Sequence, residues 1–327
     1  MCKVSIIVPI YDVSNYLRKC LDSVLNQTLK EIEIILVNDA SPNPKDEEIC
    51  LEYEELDERI VYTKHSTNKG LGGARNTGIH LAKADYVMHI DSDDWIHPKM
   101  AAILYNAAIK ENACIVECNF QKIFNNGDTE NTILHTAMYP GDKINYLSMQ
   151  TWNKIYKKKI FIKNNIFFPE KITSQDTATT PRLALVADKF IKIKDVLYYH
   201  IIEREGALTT NFEKKLNDLP IVFNIVKDFM LDNNFWNKYR YSYYNKIWGT
   251  TKYNIEKIIA TESMNEVEKL ELLNKKLIPI LYIMDINHEE IFCNNVQELL
   301  KYLKRHIGEN INFYSCLLYT SPSPRDA

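Results

Sequence analysis

The sequence predicts an α/β protein, a mainly parallel sheet flanked by helices and followed by a C-terminal helical domain. Three observations carry this. Short continuous apolar runs, rich in β-branched residues, recur at Val4–Ile10, Ile32–Val37, Arg59–Lys64 and Tyr86–Ile90, as expected of strands buried on both faces. Helix-length segments separate them, giving the order β-α-β-α-β-α-β and a right-handed parallel sheet. After about residue 210 the strand-like runs stop and helical spacing takes over.

Composition narrows the function classes. The chain has 327 residues, 46% of them hydrophobic, enough for one large domain and a smaller one. A net charge of −3 makes no electrostatic case for nucleic acid. Seven scattered cysteines form no zinc set, and with no secretory signal they point to reduced thiols in a cytoplasmic protein. The first apolar stretch is too short for a signal peptide. No run approaches the ~18 apolar residues that span a bilayer, so membrane contact would be peripheral. Residues 317–327 turn abruptly to Ser-Pro repeats and read as a non-native tail.

Each early strand ends in residues with chemical potential, and ligands of open α/β sheets bind at that end. Tyr11 follows the first strand, and its ring could stack on a flat ligand or simply pack. Tyr16, Leu17, Cys20, Leu21, Val24 and Leu25 then mark an amphipathic helix. The second strand ends in Asn38-Asp39; Asp39 could accept from a base N–H or cap a turn. A charged helix over about Lys45–Leu56 leads to the third strand. Asn68-Lys69-Gly70-Leu71-Gly72-Gly73-Ala74-Arg75 follows. It is not the dinucleotide fingerprint, which needs a glycine where Arg75 stands. Its glycines would allow an anion to approach a helix N-terminus, with Arg75 as a fixed positive fork.

The fourth strand runs into Asp91-Ser92-Asp93-Asp94, three carboxylates within four residues. They repel one another and need a cation or shifted pKa values. Asp91 and Asp93, two apart, form half a site for a hard divalent ion. The alternative is a solvated acidic turn capping the next helix. An aromatic, a base acceptor, a phosphate loop and a carboxylate pair at successive strand ends together describe a nucleotide-diphosphate site.

Val4-Ser5-Ile6-Ile7-Val8-Pro9-Ile10-Tyr11, Cys20–Thr28, Glu33–Asp39, Ala74-Arg75-Asn76-Thr77-Gly78 and Asp91–Ile96 resemble glycosyltransferase family 2. The resemblance is strong over residues 3–100 and looser to about 210. It implies a GT-A-type, Rossmann-like fold over 1–210 and a nucleotide-sugar donor, often UDP-linked. It also implies a divalent Mn²⁺ or Mg²⁺ ion and inversion at the anomeric carbon. Pro9, Tyr11 and Asp39 would hold the base. Gly70, Arg75, Asp91 and Ser92 would contact the rest of the nucleotide, and Asp93, with Asp91, the metal. Ala40 departs from the family, which has Gly there.

The same resemblance maps the catalytic base to Asp176. Gln175 stands where the family has Glu; a plain loop Asp before a helix starting at Thr180-Pro181 is the alternative. Arg204, in Glu203–Thr209, would close on the pyrophosphate, and His200 would be a third metal ligand or a structural residue. His89 reads as packed and hydrogen-bonded. Ala113–Phe120 reads as a strand, and 121–139 as a loop or hairpin around Asn125-Asn126-Gly127-Asp128. Trp152–Lys159 is basic and aromatic; it resembles a segment of the family's capsule- and exopolysaccharide-type members, and otherwise reads as a helix with a solvated lysine face, the favoured reading.

The helical domain is expected over 211–316, with a break at Leu219-Pro220, a Tyr/Trp/Lys-rich stretch at 235–259, and helices at 265–276 and 296–306. Its aromatics suit a core with a basic solvated face, or a membrane surface. The expected reaction is a single displacement by a hydroxyl of a glycan or lipid-linked saccharide. The rivals are a nucleotidyltransferase and a non-catalytic nucleotide- or glycan-binding partner subunit.

Overall fold

A computed structural model describes residues 2–134, 142–202 and 212–260, with isolated positions between 264 and 283. The elements in order are β1 (Val4–Ile10), α1 (Ser14–Leu25), β2 (Ile32–Asn38), α2 (Pro44–Leu56), β3 (Ile60–Lys64) and α3 (Gly70–Leu81). Next come β4 (Tyr86–His89), β5 (Trp95–Ile96), α4 (Met100–Glu111), β6 (Ile115–Ile123), β7 (Thr129–Thr132) and α5 (Lys143–Tyr146). They are followed by β8 (Lys154–Lys157), α6 (Lys159–Lys163), α7 (Gln175–Val186), β9 (Phe190–Ile201), α8 (Phe212–Asp232) and α9 (Trp236–Ile259).

The described strands form one sheet in the order β3-β2-β1-β4-β8-β6-β9-β5, with β7 on β6. The first four are parallel, as the βαβ spacing predicts. Beyond β4 the sheet is mixed: β8 runs antiparallel to β4 and β6, while β9 is parallel to β6. Alternate residues of β1 feed two cores. Val4, Ile6 and Val8 pack with Leu17, Leu21 and Val24 of α1, Ile49 of α2 and Leu104 of α4. Ile7 packs with Ala74 and Ile79 of α3, Phe161 of α6 and Leu183 of α7. Burial on both faces is why β1 reads as an unbroken apolar run.

Several expectations change. Trp152–Lys159 is not a helix with a solvated face: β8 lies inside the sheet, and Lys154 is fully buried in an ion pair of 2.8 Å with Glu117. The residues around Asn125–Asp128 do form a hairpin, β6 to β7, closed by Phe124 N donating to Asp128 O. The helix near Thr180-Pro181 starts earlier, at Gln175, with Pro181 inside it. Pro220 does not break its helix either; α8 runs through it, losing one backbone donor while Leu216, Leu219, Val222, Phe223 and Val226 stay buried.

The chain divides into two compact units, Met1–Arg240 and Tyr241–Ala327. The division falls about thirty residues later than the expected boundary at 210: α8 lies in the first unit, where its Asp218 bonds Thr173, just before α7. In the second unit, buried Tyr243, Ile247 and Ile258 recur at helical spacing, while Tyr253 is exposed. The helix expected at 296–306 and the tail from 317 lie outside the described residues, and the helix at 265–276 is described only at a few positions. No helix among the described residues is long and apolar enough to cross a membrane.

Candidate active site

β2, β1 and β4 are neighbours and parallel, so their C-terminal ends deliver Asp39, Tyr11 and the 91–94 turn to one edge of the sheet. Pro9 is buried near the end of β1, and Tyr11 beyond it is 46% exposed. Asp39 is buried and tightly held: its Oδ1 accepts Lys69 N at 2.8 Å and meets His65 Nδ1 at 2.6 Å. The other ring nitrogen of His65 meets Thr77 Oγ1 at 2.8 Å. This orders Asp39 from the start and the first turns of α3. His65 was missed by the sequence reading, although a polar residue just past the end of β3 carries the same signal as Asp39. Ala40, where glycine was expected, sits at φ 54°, so the turn keeps the left-handed conformation despite its Cβ.

The glycine loop packs closely against another segment of the protein. Gly70 has φ 78°, and a Cβ on it would lie 2.9 Å from Lys171 N. A Cβ on Gly72 would lie 2.2 Å from the carbonyl oxygen of Pro169. On the side where a Cβ would stand, the close approach is made by the protein's own 168–171 segment. Asn76 pins the same segment, donating to Phe168 O at 2.8 Å and accepting from Phe168 N at 2.9 Å.

Arg75 is buried and its Nη2 donates to Asp91 Oδ1 at 2.5 Å, while its guanidinium lies over Phe168 at 5.5 Å. Nε and Nη1 are buried with no protein partner among the described residues. A guanidinium that spends one nitrogen on a carboxylate and keeps two buried donor nitrogens spare suits an oxyanion at the sheet edge. His89 is packed as expected but not hydrogen-bonded: both ring nitrogens lack a partner among the described residues, and Phe168, Tyr156 and Phe161 surround the ring at 5.3–6.2 Å. Burial first, then the charge of Arg75, holds this imidazole well below its ordinary pKa, so it stays neutral.

The three carboxylates use both devices that their repulsion demands. Asp91 takes the cation Arg75. Asp94, buried, has the shifted pKa: desolvation pushes it to about 6 against the pull of His200. It accepts from Tyr198 Oη at 2.7 Å and Ile201 N at 2.8 Å, and meets His200 Nδ1 at 3.1 Å. Tyr198 Oη also accepts from Asp91 N at 3.2 Å, tying the turn to β9. Ser92 is buried, whereas Asp93 is half-buried at the tip of the turn. His200 was expected either as a third metal ligand or as a structural residue. Its Nδ1 is spent on Asp94, which leaves Nε2 as the ring nitrogen for any ion and makes Asp94 an orienting group.

Asp176 is in the first turn of α7 and half-buried. Its Oδ1 accepts from Thr177 N at 2.8 Å. Burial raises its pKa; Arg75 opposes the rise and Asp91 adds to it, so the carboxyl lies within electrostatic reach of both. A carboxyl whose pKa is raised by burial is able to take up a proton nearer neutral pH than an ordinary aspartate. Gln175 is buried beside it. Arg204 and the 203–209 loop lie outside the described residues.

The fold is an α/β fold of GT-A type. The profile of the family described as "Glycosyl transferase family 2" matches residues 5–173, and the chain belongs to this family. It is 34% identical over 230 residues to the glycosyltransferase GlyA of Streptococcus pneumoniae serotype 4, covering 65% of this chain but 32% of GlyA. It is 30% identical over 250 residues to EpsH of Bacillus subtilis (strain 168), itself assigned as a glycosyltransferase only provisionally, covering 72% of each. Among solved structures, residues 1–349 of TarS from S. aureus, in complex with UDP-GlcNAc, superpose with a TM-score of 0.61 at 19% identity, covering 86% of this chain and 82% of that one. The mannosyltransferase PcManGT from Pyrobaculum calidifontis, in complex with GDP-Man and Mn²⁺, superposes with a TM-score of 0.53 at 12% identity, covering 92% and 80%.

Proposed function

We propose that the chain transfers a sugar from a nucleotide-sugar, with a UDP-linked donor favoured, to a hydroxyl of a glycan or lipid-linked saccharide, by single displacement with inversion. The observation that supports this is the delivery of Asp39, Tyr11 and the 91–94 turn to one sheet edge by neighbouring parallel strands, with Arg75 on Asp91 and Asp176 within electrostatic reach of that pair. Family membership favours sugar transfer over nucleotidyl transfer. The donors bound by TarS and PcManGT support a nucleotide-sugar.

In this reading Tyr11 stacks on the base and Asp39 accepts its N–H. The spare N–H groups of Arg75 meet the diphosphate and stabilise the charge that grows on it. The acceptor oxygen attacks the anomeric carbon, and its proton passes to Asp176. The bond from that carbon to the diphosphate breaks, and the nucleoside diphosphate leaves. An α-linked donor would give a β-linked product.

Among the described residues no group of three His, Cys, Asp or Glu side chains closes around one point. Mg²⁺ is commonly held by one or two carboxylates together with substrate phosphates, and Asp93 is a half-buried carboxylate at the tip of its turn. Asp93, with Nε2 of His200, would hold the ion, while Asp91, expected there as well, has its Oδ1 on Arg75; when bound, the ion would supply Lewis-acid neutralisation of the leaving group.

The test is release of UDP from a panel of UDP-sugars, with Mn²⁺ or Mg²⁺ and with EDTA. Asp176→Asn should lower turnover by about 10²-fold or more while UDP still binds. Unchanged turnover in that variant would remove the base.

A further inference from the structure

Asp218 lies on α8, beyond the span of the family match. It is buried, and its Oδ2 accepts two hydrogen bonds from one residue, Thr173: from N at 2.7 Å and from Oγ1 at 2.8 Å. Thr173 stands three positions before Asp176. Between them Ser174 takes φ 47°, and Lys171 just upstream takes φ 57°. Two non-glycine residues in the left-handed region persist only where the surroundings hold them.

The rest of this segment is gripped from other elements. Asn76 of α3 holds Phe168, Lys171 N donates to Lys69 O at 3.0 Å, and Arg182 of α7 donates to Phe167 O at 2.7 Å. Those contacts fix residues 167–171. The Asp218 clamp acts on the last piece of chain before α7 begins.

We propose that Asp218 is a positioning residue for the transfer reaction: by holding Thr173 it sets the N-terminus of α7 and so the aim of the Asp176 carboxylate. This rests on the reading of Asp176 as the base. It makes α8 a working part of the active site and not a separate module. Lys215, three residues before Asp218 on the same helix, also reaches the site, since its charge draws the Asp176 carboxyl down against the burial that raises it.

The full chain is assayed for UDP release with the UDP-sugar that turns over best in the panel. Asp218→Ala should lower kcat about tenfold or more, as misplacement of a catalytic group does, with donor KM and UDP affinity within about twofold of wild type. Asp218→Asn keeps an acceptor oxygen for both Thr173 donors and should restore most of the rate. Thr173→Val loses the hydroxyl bond but keeps the backbone one, and should fall between.

An Asp218→Ala enzyme with wild-type kcat overturns the proposal. So does a loss in which UDP affinity falls in parallel and Asn gives no rescue, since that is general damage. If Asp218→Ala does not fold, Thr173→Val decides, and an unchanged kcat there overturns the idea. Asp176→Asn run alongside separates the two readings. Full activity in that variant removes the base and this inference with it. An inactive Asp176→Asn beside a fully active Asp218→Ala overturns the positioning role alone.

Discussion

Replacing Lys154 by Met probes the buried ion cluster that joins β6, β8 and β9. Lys154 Nζ is completely buried and meets Glu117 Oε1 at 2.8 Å, Asn153 Oδ1 at 2.8 Å and Ser148 Oγ at 2.9 Å, besides the Gln150 carbonyl. Lys192 reaches the other Glu117 oxygen at 3.3 Å. Burial by itself would raise the Glu117 carboxyl, but Lys154 and Lys192 outweigh it and hold it below its ordinary value. Met fills much of the volume of the lysine stem and removes only the charge and its donors. Glu117 would then keep one cation and Ser148, while Gln150 O and Asn153 Oδ1 each lose a donor.

Removing one partner of a buried pair costs ~3–5 kcal/mol, and the surviving Lys192 contact places this case near ~3 kcal/mol. Urea unfolding at pH 7 measures it. A folded pKa below the ordinary 4.5 means that Glu117 stabilises above that value and ceases to as pH falls through the folded one. The gap between wild type and Lys154→Met should therefore narrow below about pH 4.5. In a double-mutant cycle with Glu117→Gln, the two losses should fall short of additivity by at least ~1 kcal/mol. A loss under ~1 kcal/mol for Lys154→Met, constant with pH, would refute the reasoning, because a solvated lysine behaves that way.

Two further outcomes follow from the site. Asp176 must be ionised to accept a proton, and its pKa is raised, so kcat/KM should fall as pH drops through a value above the ordinary 3.8; an acid limb at or below 3.8 would contradict the raised carboxyl. Gly72→Ala drives a Cβ against the Pro169 carbonyl and should cost ~1–3 kcal/mol of stability. Its larger effect should be on turnover, through the segment that carries Asp176, with UDP affinity kept; equal losses of both would show that the segment serves nucleotide binding instead.

The parallel half of the sheet was legible because its signal is local. Ile6, Ile7 and Val8 are apolar without a break since both faces are covered, and Tyr11, Asp39 and Asp93 stand where such runs end. Strand neighbours, by contrast, are chosen by tertiary packing. Nothing in Lys154-Ile155-Tyr156-Lys157 announces that its first lysine will find Glu117, 37 positions away, and periodicity alone favours a helix with a wet face. Pro181 and Pro220 were read as helix boundaries for a similar reason: propensity counts the lost hydrogen bond, whereas burial of Leu183 or Val222 outweighs it.

The sequence by itself determined the class of fold, the order of the early strands and the chemical types gathered at their ends, since each depends on residues within one short segment. Only the tertiary structure decided what each of those residues touches. It gave the spacious glycines of α3 to the 168–171 segment, Asp94 to Tyr198 and His200, and Thr173 to Asp218. Those partners lie from tens of residues to about a hundred residues apart in the chain, and such contacts form only when packing of the sheet and helices has paid the entropy of bringing them together.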